Sequence, residues 1–370
     1  MFHLLIKPAS SECNMRCSYC FYADESENRQ IPSYGIMSEA TMEALVQKSL
    51  QEASGQCTFA FQGGEPLLAG LPFFERFIEF QKKYNAKKVR IHNTIQTNGY
   101  CVDDAWADFF FKNNFLVGLS LDGPKEVNDI NRMDVNGDSV YNTIMKTARL
   151  FDSHKVEYNI LTVVSSHVAK NIGKVYGFFK RNGFSYQQYI PCLDPFLEKR
   201  GGYSHSLTPE LYERFLFTLF DLWYRDVSRG QGVSIRFFDN LYGIVCGYPP
   251  ESCGMLGFCA CQYVVEADGG VYPCDFYVMD PYRLGNLNID GFDDLEKRRV
   301  EIGFVEVSRH VDEECMQCPY ANVCRGGCRR DREPMVNGVL SLNYYCIALK
   351  AFYAYALPKL SELRVSMLIR

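Results

Sequence analysis

No stretch of this chain approaches the ~20 consecutive apolar residues that a bilayer-spanning helix needs, so a membrane protein is not expected. The opening residues, Met1-Phe2-His3-Leu4-Leu5-Ile6-Lys7, lack a basic leader, a long apolar core and a cleavage site, and export is not expected either. Surplus positive charge is also missing: a net charge of −5 gives no electrostatic reason for nucleic acid as a partner. Internal repeats and low-complexity tracts are absent, which sets aside solenoids and long disordered tails. The rest of the composition is ordinary for a globular chain. At 47% hydrophobic, 22% charged and 370 residues, it can bury two domains or one barrel with an appendage. Aromatics at 14% suit a peptide groove and a packed core equally.

Cysteine is what the chain has in excess. Of sixteen, Cys57, Cys101 and Cys192 stand alone, three fall in Cys13–Cys20, and ten lie between Cys246 and Cys346. Thiols clustered in a chain without an export signal favour metal over disulfides and point to the cytoplasm. The stretch Cys13-Asn14-Met15-Arg16-Cys17-Ser18-Tyr19-Cys20 reads C-x3-C-x2-C. Three thiolates so spaced can hold three irons of a cubane cluster and leave the fourth open to a small molecule, where an all-cysteine site spends four. A structural zinc knuckle is the competing reading. A second constellation comprises Cys253-x5-Cys259, Cys274, Cys315-x2-Cys318-x5-Cys324-x3-Cys328 and Cys346. Its eight thiols suffice for two fully ligated four-iron clusters, with zinc again the alternative. Cys246 and Cys261 are left over.

Strand and helix signals alternate from Leu4 to about Leu193, the pattern of a parallel α/β architecture. Strands are expected at Leu4–Ile6, Cys57–Phe61, Val89–Ile95, Phe115–Leu121, Val156–Val164 and Ser185–Ile190. Helices are expected from Ser38, over Pro72–Tyr84, Asp103–Asn113, Ser139–Ser153 and Val168–Asn182. Six such repeats fall short of an eight-fold barrel and predict an open, partial (β/α)6 TIM-like barrel. In such folds chemistry gathers at the carboxyl ends of the strands, where Cys13–Cys20, Gln62–Pro66, Gln96–Gly99 and Ser120–Pro124 all lie. An amphipathic helix over Thr208–Gly230 reads as packing. The expected division is 1–232, barrel with helical extension, and 233–370, a cysteine-rich domain. The latter shows few regular elements beyond a hairpin around Ala267-Asp268-Gly269-Gly270 and a helix over Tyr344–Leu368.

The cysteine triplet followed by Phe21-Tyr22 resembles the cluster motif of the radical S-adenosylmethionine (SAM) enzymes, and Gly63-Gly64-Glu65-Pro66 resembles their SAM-binding loop. The second constellation resembles the SPASM extension of peptide-modifying members. Leu5–Ser11, Phe59–Pro66, Gly118–Pro124, Tyr272-Pro273-Cys274-Asp275-Phe276-Tyr277 and Gly326-Gly327-Cys328-Arg329-Arg330 are together similar to the anaerobic sulfatase-maturating enzymes, over nearly the whole chain. That resemblance implies three [4Fe-4S] clusters and SAM, and oxidation of a Cys or Ser in a sulfatase C/S-x-P-x-R motif to Cα-formylglycine (3-oxoalanine). It implies a cluster at Cys13, Cys17 and Cys20, one nearer the substrate at Cys253, Cys259, Cys274 and Cys328, and an outer one at Cys315, Cys318, Cys324 and Cys346. The interleaving does not follow from spacing. By the same resemblance Tyr19, Gly64, Ser120, Arg132 and Leu193 contact SAM, and Asp275 is the catalytic base. Without it Asp275 reads as a solvated hairpin carboxylate and Arg132 as a surface arginine. Tyr22 and Gln62 are candidate peptide contacts. The segment Asp331–Gly338 carries no family signal. The implied partners are an unfolded or nascent sulfatase segment and a low-potential donor such as flavodoxin or ferredoxin, with no nucleic acid and no membrane. The alternative is another SPASM peptide modifier, forming a thioether or crosslink on a ribosomal peptide.

Overall fold

The computed structural model describes residues 2–196, 198–260 and 262–368, the side chains of 365–368 excepted. Ten strands form among them: β1 (Phe2–Ile6), β2 (Gln56–Phe61), β3 (Arg90–Thr97), β4 (Phe115–Ser120), β5 (Glu157–Val164), β6 (Tyr186–Pro191), β7 (Ser234–Ile235), β8 (Tyr263–Val265), β9 (Gly270–Tyr272) and β10 (Gly285–Asn286). The first six are the six expected, each within a few residues of its sequence-derived bounds. Two compact units result. The first is Met1–Leu121, Arg132–Asn159 and Cys261–Phe304; the second is Asp122–Asn131, Ile160–Ala260 and Val305–Arg370. The two units do not follow the sequence segments 1–232 and 233–370.

In the first unit the strand order is β10-β9-β8-β1-β2-β3-β4. Strands β1 to β4 are parallel neighbours, so each return needs a crossover, supplied by helices such as Glu39–Glu52, Leu71–Tyr84 and Asp104–Lys112. Ser38 caps the first of these, its hydroxyl accepting the Thr41 N–H at 3.1 Å. Alternation along β2 buries Cys57, Phe59 and Phe61. These meet the helix aromatics edge-on, Phe59 on Phe77 at 5.3 Å and Phe61 on Phe74 at 5.0 Å between centroids. Much of the aromatic surplus is therefore core.

The hairpin expected around Gly269 is present as β8 and β9, but it does not stand apart. Strand β8, fully buried, pairs in parallel with β1, Leu4 opposite Tyr263, so the C-terminal hairpin widens the N-terminal sheet. Two further expectations are corrected. The region after residue 233 contains helices Arg236–Val245 and Phe292–Glu301 that the glycine and cysteine density obscured. The second places Phe292, Leu295 and Arg299 on its buried face, and Asp294 accepts the Gly291 N–H at its start. The single helix expected over Val168–Asn182 is two, Ser166–Lys170 and Ile172–Arg181. Asn171 (φ −114°, ψ 15°) ends one, and its carbonyl starts the next by accepting from Lys174 and Val175.

In the second unit β5, β6 and β7 are parallel, with Ile160 opposite Gln187 and Tyr186 opposite Ser234. The helix Pro209–Ser228 buries Phe215, Leu219, Phe220 and Trp223 and packs on the helix Cys346–Leu368 through Phe220 and Phe352, 5.5 Å apart. Among the described residues no helix is long and apolar enough to cross a membrane.

Candidate active site and cluster ligands

The loop after β1 carries Cys13, Cys17 and Cys20, and backbone bonds hold it from two sides. Arg16 N–H bonds to the Met133 carbonyl at 2.9 Å, and Glu65 N–H to the Glu12 carbonyl at 2.8 Å. Asn98, just past β3, donates its amide to the Cys13 sulfur at 3.9 Å and to Asn14 Oδ1 at 2.8 Å. Burial pushes the Cys13 thiol up to about 11 and raises Cys20, the latter opposed by Arg132 and Lys7. The free Cys13 and Cys20 thiols therefore hold their protons at neutral pH and would release them to bind iron. The described cysteines are all free, with no disulfide among them. Three sulfurs in one pinned loop fit a cluster with one open corner.

Gly64 lies directly on that loop. Its φ of +52° is left-handed, and a Cβ there would stand 2.2 Å from the Glu12 carbonyl oxygen and 2.8 Å from that of Ser10. Only glycine permits this approach. Tyr19 and Arg132 are both buried, the guanidinium lying 5.6 Å from the tyrosine ring centroid. Arg132 is thus no surface arginine. Ser120 ends β4, its hydroxyl accepting from Gln96 at 2.8 Å.

Glu65 has a different role from its glycine neighbours. Its carboxylate accepts the Leu67 N–H at 3.0 Å, the Thr97 hydroxyl at 2.8 Å and the Asn98 N–H at 2.8 Å, tying the loop after β2 to the end of β3. Burial outweighs these three bonds and pushes its pKa up to about 7. A carboxyl that holds its proton more tightly folded than unfolded stabilises the fold most below its ordinary value near 4.5. That contribution is lost as pH rises toward 7. Anoxic urea unfolding should therefore show wild-type stability falling relative to Glu65→Gln from pH 5 to 8, by on the order of 3 kcal/mol. A constant offset between the two proteins across that range would contradict this.

Asp275 is buried rather than solvated, and both its oxygens are engaged. Lys7 Nζ lies 2.6 Å from Oδ1, and Gln62 donates its amide to Oδ2 at 2.8 Å. One carboxylate thus joins residues just beyond β1, β2 and β9. Tyr22 is buried, and its hydroxyl donates to Glu266, which also accepts from Arg29 at 3.0 Å. Burial raises Glu266 to about 7, with Lys7 opposing the rise. Lys7, Glu65, Arg29 and Glu266 were not singled out from sequence. Only Lys7 and Glu65 lay inside recognisable motifs, and nothing in a linear pattern marks a buried charge.

The second unit holds Leu193 and seven of the cysteines expected to hold clusters. Leu193 follows β6; the carboxylate of Asp194 accepts the Gly201 N–H at 2.7 Å and the Ser206 hydroxyl, and Arg330 donates to the Asp194 carbonyl at 3.1 Å. Asp331, in the segment without family signal, is half-buried and paired with Arg200 at 3.2 Å. Cys315, Cys318, Cys324 and Cys346 line one cavity of about 310 Å³. Burial pushes Cys324 up to about 11, with Cys346, Cys315 and Cys318 adding to the rise. Burial raises Cys328 far above its ordinary range, and Asp331, Cys253 and Cys259 oppose its ionisation further. Cys328, four residues after Cys324, lies beside the Cys253 segment, where a Cβ on Gly254 would stand 3.8 Å from the Cys328 Cβ. Cys274, in the first unit, directly precedes Asp275. Cys246 caps the helix Arg236–Val245, and Cys261 lies outside the described residues.

Residues 8–169 match the radical SAM superfamily, and residues 257–319 match SPASM, an iron–sulfur cluster-binding domain. The chain is 50% identical over 357 residues to the cysteine-type anaerobic sulfatase-maturating enzyme of Clostridium perfringens, covering 96% of each. It is 30% identical over 372 residues to the serine-type enzyme of Bacteroides thetaiotaomicron, covering 95% of this chain and 88% of that one. A solved structure of native anSMEcpe with bound AdoMet and Cp18Cys peptide aligns with a TM-score of 0.93 and 48% identity. That alignment covers 100% of this chain and 99% of that one.

Proposed function

Because the chain belongs to the anaerobic sulfatase-maturating enzymes of the radical SAM superfamily, we propose that its preferred target is a sulfatase cysteine. The enzyme uses SAM and three [4Fe-4S] clusters to oxidise an active-site residue of a sulfatase to Cα-formylglycine without oxygen. The preference for cysteine rests on one observation, the 50% identity to a cysteine-type enzyme against 30% to a serine-type one.

Cys13, Cys17 and Cys20 would hold the SAM-binding cluster, and Tyr19, Gly64, Ser120, Arg132 and Leu193 the SAM. Cys315, Cys318, Cys324 and Cys346 would hold an outer cluster. Cys253, Cys259 and Cys328 would hold the other, for which the family resemblance supplies Cys274 as fourth ligand. When bound, SAM and its cluster supply the chemistry that removes a hydrogen atom from Cβ of the target residue. Asp275 takes the thiol proton. Oδ2 is the receiving atom, since Gln62, unlike Lys7, is neutral and can turn its own carbonyl to accept from a protonated Oδ2. The second electron could pass to the cluster that Cys253, Cys259, Cys274 and Cys328 would hold, giving a thioaldehyde that water hydrolyses to the aldehyde with release of hydrogen sulfide. Along the sequence, the residues proposed for SAM and its cluster precede residue 232 and those proposed for the auxiliary clusters follow it. The enzyme would work in a reducing cytoplasm, where cluster cysteines escape disulfide formation, with a low-potential donor such as flavodoxin or ferredoxin.

Reduced enzyme incubated with paired peptides differing only as C-x-P-x-R or S-x-P-x-R tests the reading by mass spectrometry. The Cys peptide should lose about 18 Da and react several-fold faster than its Ser twin, whereas a thioether-forming enzyme would remove about 2 Da. Equal rates on both peptides would remove the preference for cysteine.

A further inference from the structure

We infer that Lys7 is the positioning residue for Asp275, aiming its Oδ2 at the target side chain. The inference rests on the formylglycine reading and adds a residue to it. Lys7 is fully buried just past β1, and a buried ammonium is costly unless paired. Its Nζ lies 2.6 Å from Asp275 Oδ1 and 3.7 Å from the centroid of the Tyr22 ring. The other buried carboxylate nearby, Glu266, already accepts from Arg29 and the Tyr22 hydroxyl, which leaves the Lys7 ammonium for Asp275.

The aliphatic stem is confined as well. Gly63 has a φ of +112°, and a Cβ on it would stand 2.7 Å from Lys7 Cγ and 2.8 Å from Nζ. The first glycine of the loop after β2 thus lies against the lysine stem, as the second lies against the cysteine loop. With Oδ1 fixed by Lys7 and Oδ2 bonded to Gln62, the Asp275 side chain has one orientation, set from β1 and β2 rather than from its own short turn. A base placed an ångström away from the proton it takes loses much of its rate, so this bracing matters to the reaction.

Lys7→Met, of similar length and without the charge, and Lys7→Arg test the assignment beside wild type on the Cys peptide. Lys7→Met should keep the wild-type iron content, the wild-type rate of reductive SAM cleavage, and peptide affinity within about threefold, measured without reductant. It should form formylglycine about 100-fold more slowly, so that 5′-deoxyadenosine accumulates without product. Lys7→Arg, still able to donate to Oδ1, should recover at least about tenfold of that loss. Undiminished oxidation by Lys7→Met overturns the assignment. So does a parallel fall in SAM cleavage, iron content or peptide affinity, which would make Lys7 merely structural, and an arginine variant no better than methionine. If wild type itself yields no formylglycine, the functional reading fails instead, whatever the variants do.

Discussion

Asp275→Asn retains iron, sulfide and reductive SAM cleavage at wild-type levels and loses peptide oxidation by about 10²- to 10⁴-fold, the usual contribution of a positioned general base. The substitution changes one atom and no shape. The new amide would still meet Lys7 with its carbonyl and sit beside Gln62, so the environment built by β1 and β2 survives. What would disappear is the oxygen proposed to take the thiol proton. The signature is therefore uncoupling: 5′-deoxyadenosine continues to form and the 18 Da loss does not. Iron content is a necessary control, because Cys274 is the adjacent residue. Oxidation within a few-fold of wild type would remove Asp275 from its role. So would an equal fall in SAM cleavage, which would place the defect at the cluster.

Replacing Cys13, Cys17 and Cys20 together by Ala abolishes SAM cleavage and formylglycine formation while removing only about one third of the iron. The proposed ligand sets lie on different stretches of the chain. The triplet sits on one loop pinned by Met133 and Glu65, whereas Cys315, Cys318, Cys324 and Cys346 share a cavity within the second unit. Losing the first set leaves the second intact, so the protein should stay coloured and folded yet inert toward SAM. The converse variant, Cys324→Ala with Cys346→Ala, should retain SAM cleavage. Residual SAM cleavage in the triplet variant beyond background would mean that another iron activates SAM.

Both variants act on residues visible in the linear motif. The positions that brace them were harder to see. Glu65 lies in an obvious loop, yet its work is to receive three hydrogen bonds from residues 67, 97 and 98, and a folded β3 end must exist before those donors converge. Arg132 and Asp275 looked like surface charges because a charged residue in a turn is exposed by default. Both are buried because partners from distant segments meet them, Tyr19 in one case, Lys7 and Gln62 in the other.

Sequence alone determined what depends on short-range order: the C-x3-C-x2-C loop after β1, the six strands and most of their helices, and the ligand residue types that specify iron–sulfur chemistry. Tertiary structure decided which thiols become neighbours, since it brings Cys328 beside the Cys253 segment across some seventy residues of chain that spacing cannot fold. It also set β8 beside β1, making one sheet of segments some 260 residues apart, and so brought Asp275 to Lys7. Side-chain periodicity reports which face of an element is buried; which buried face meets which is fixed only when the whole chain has packed.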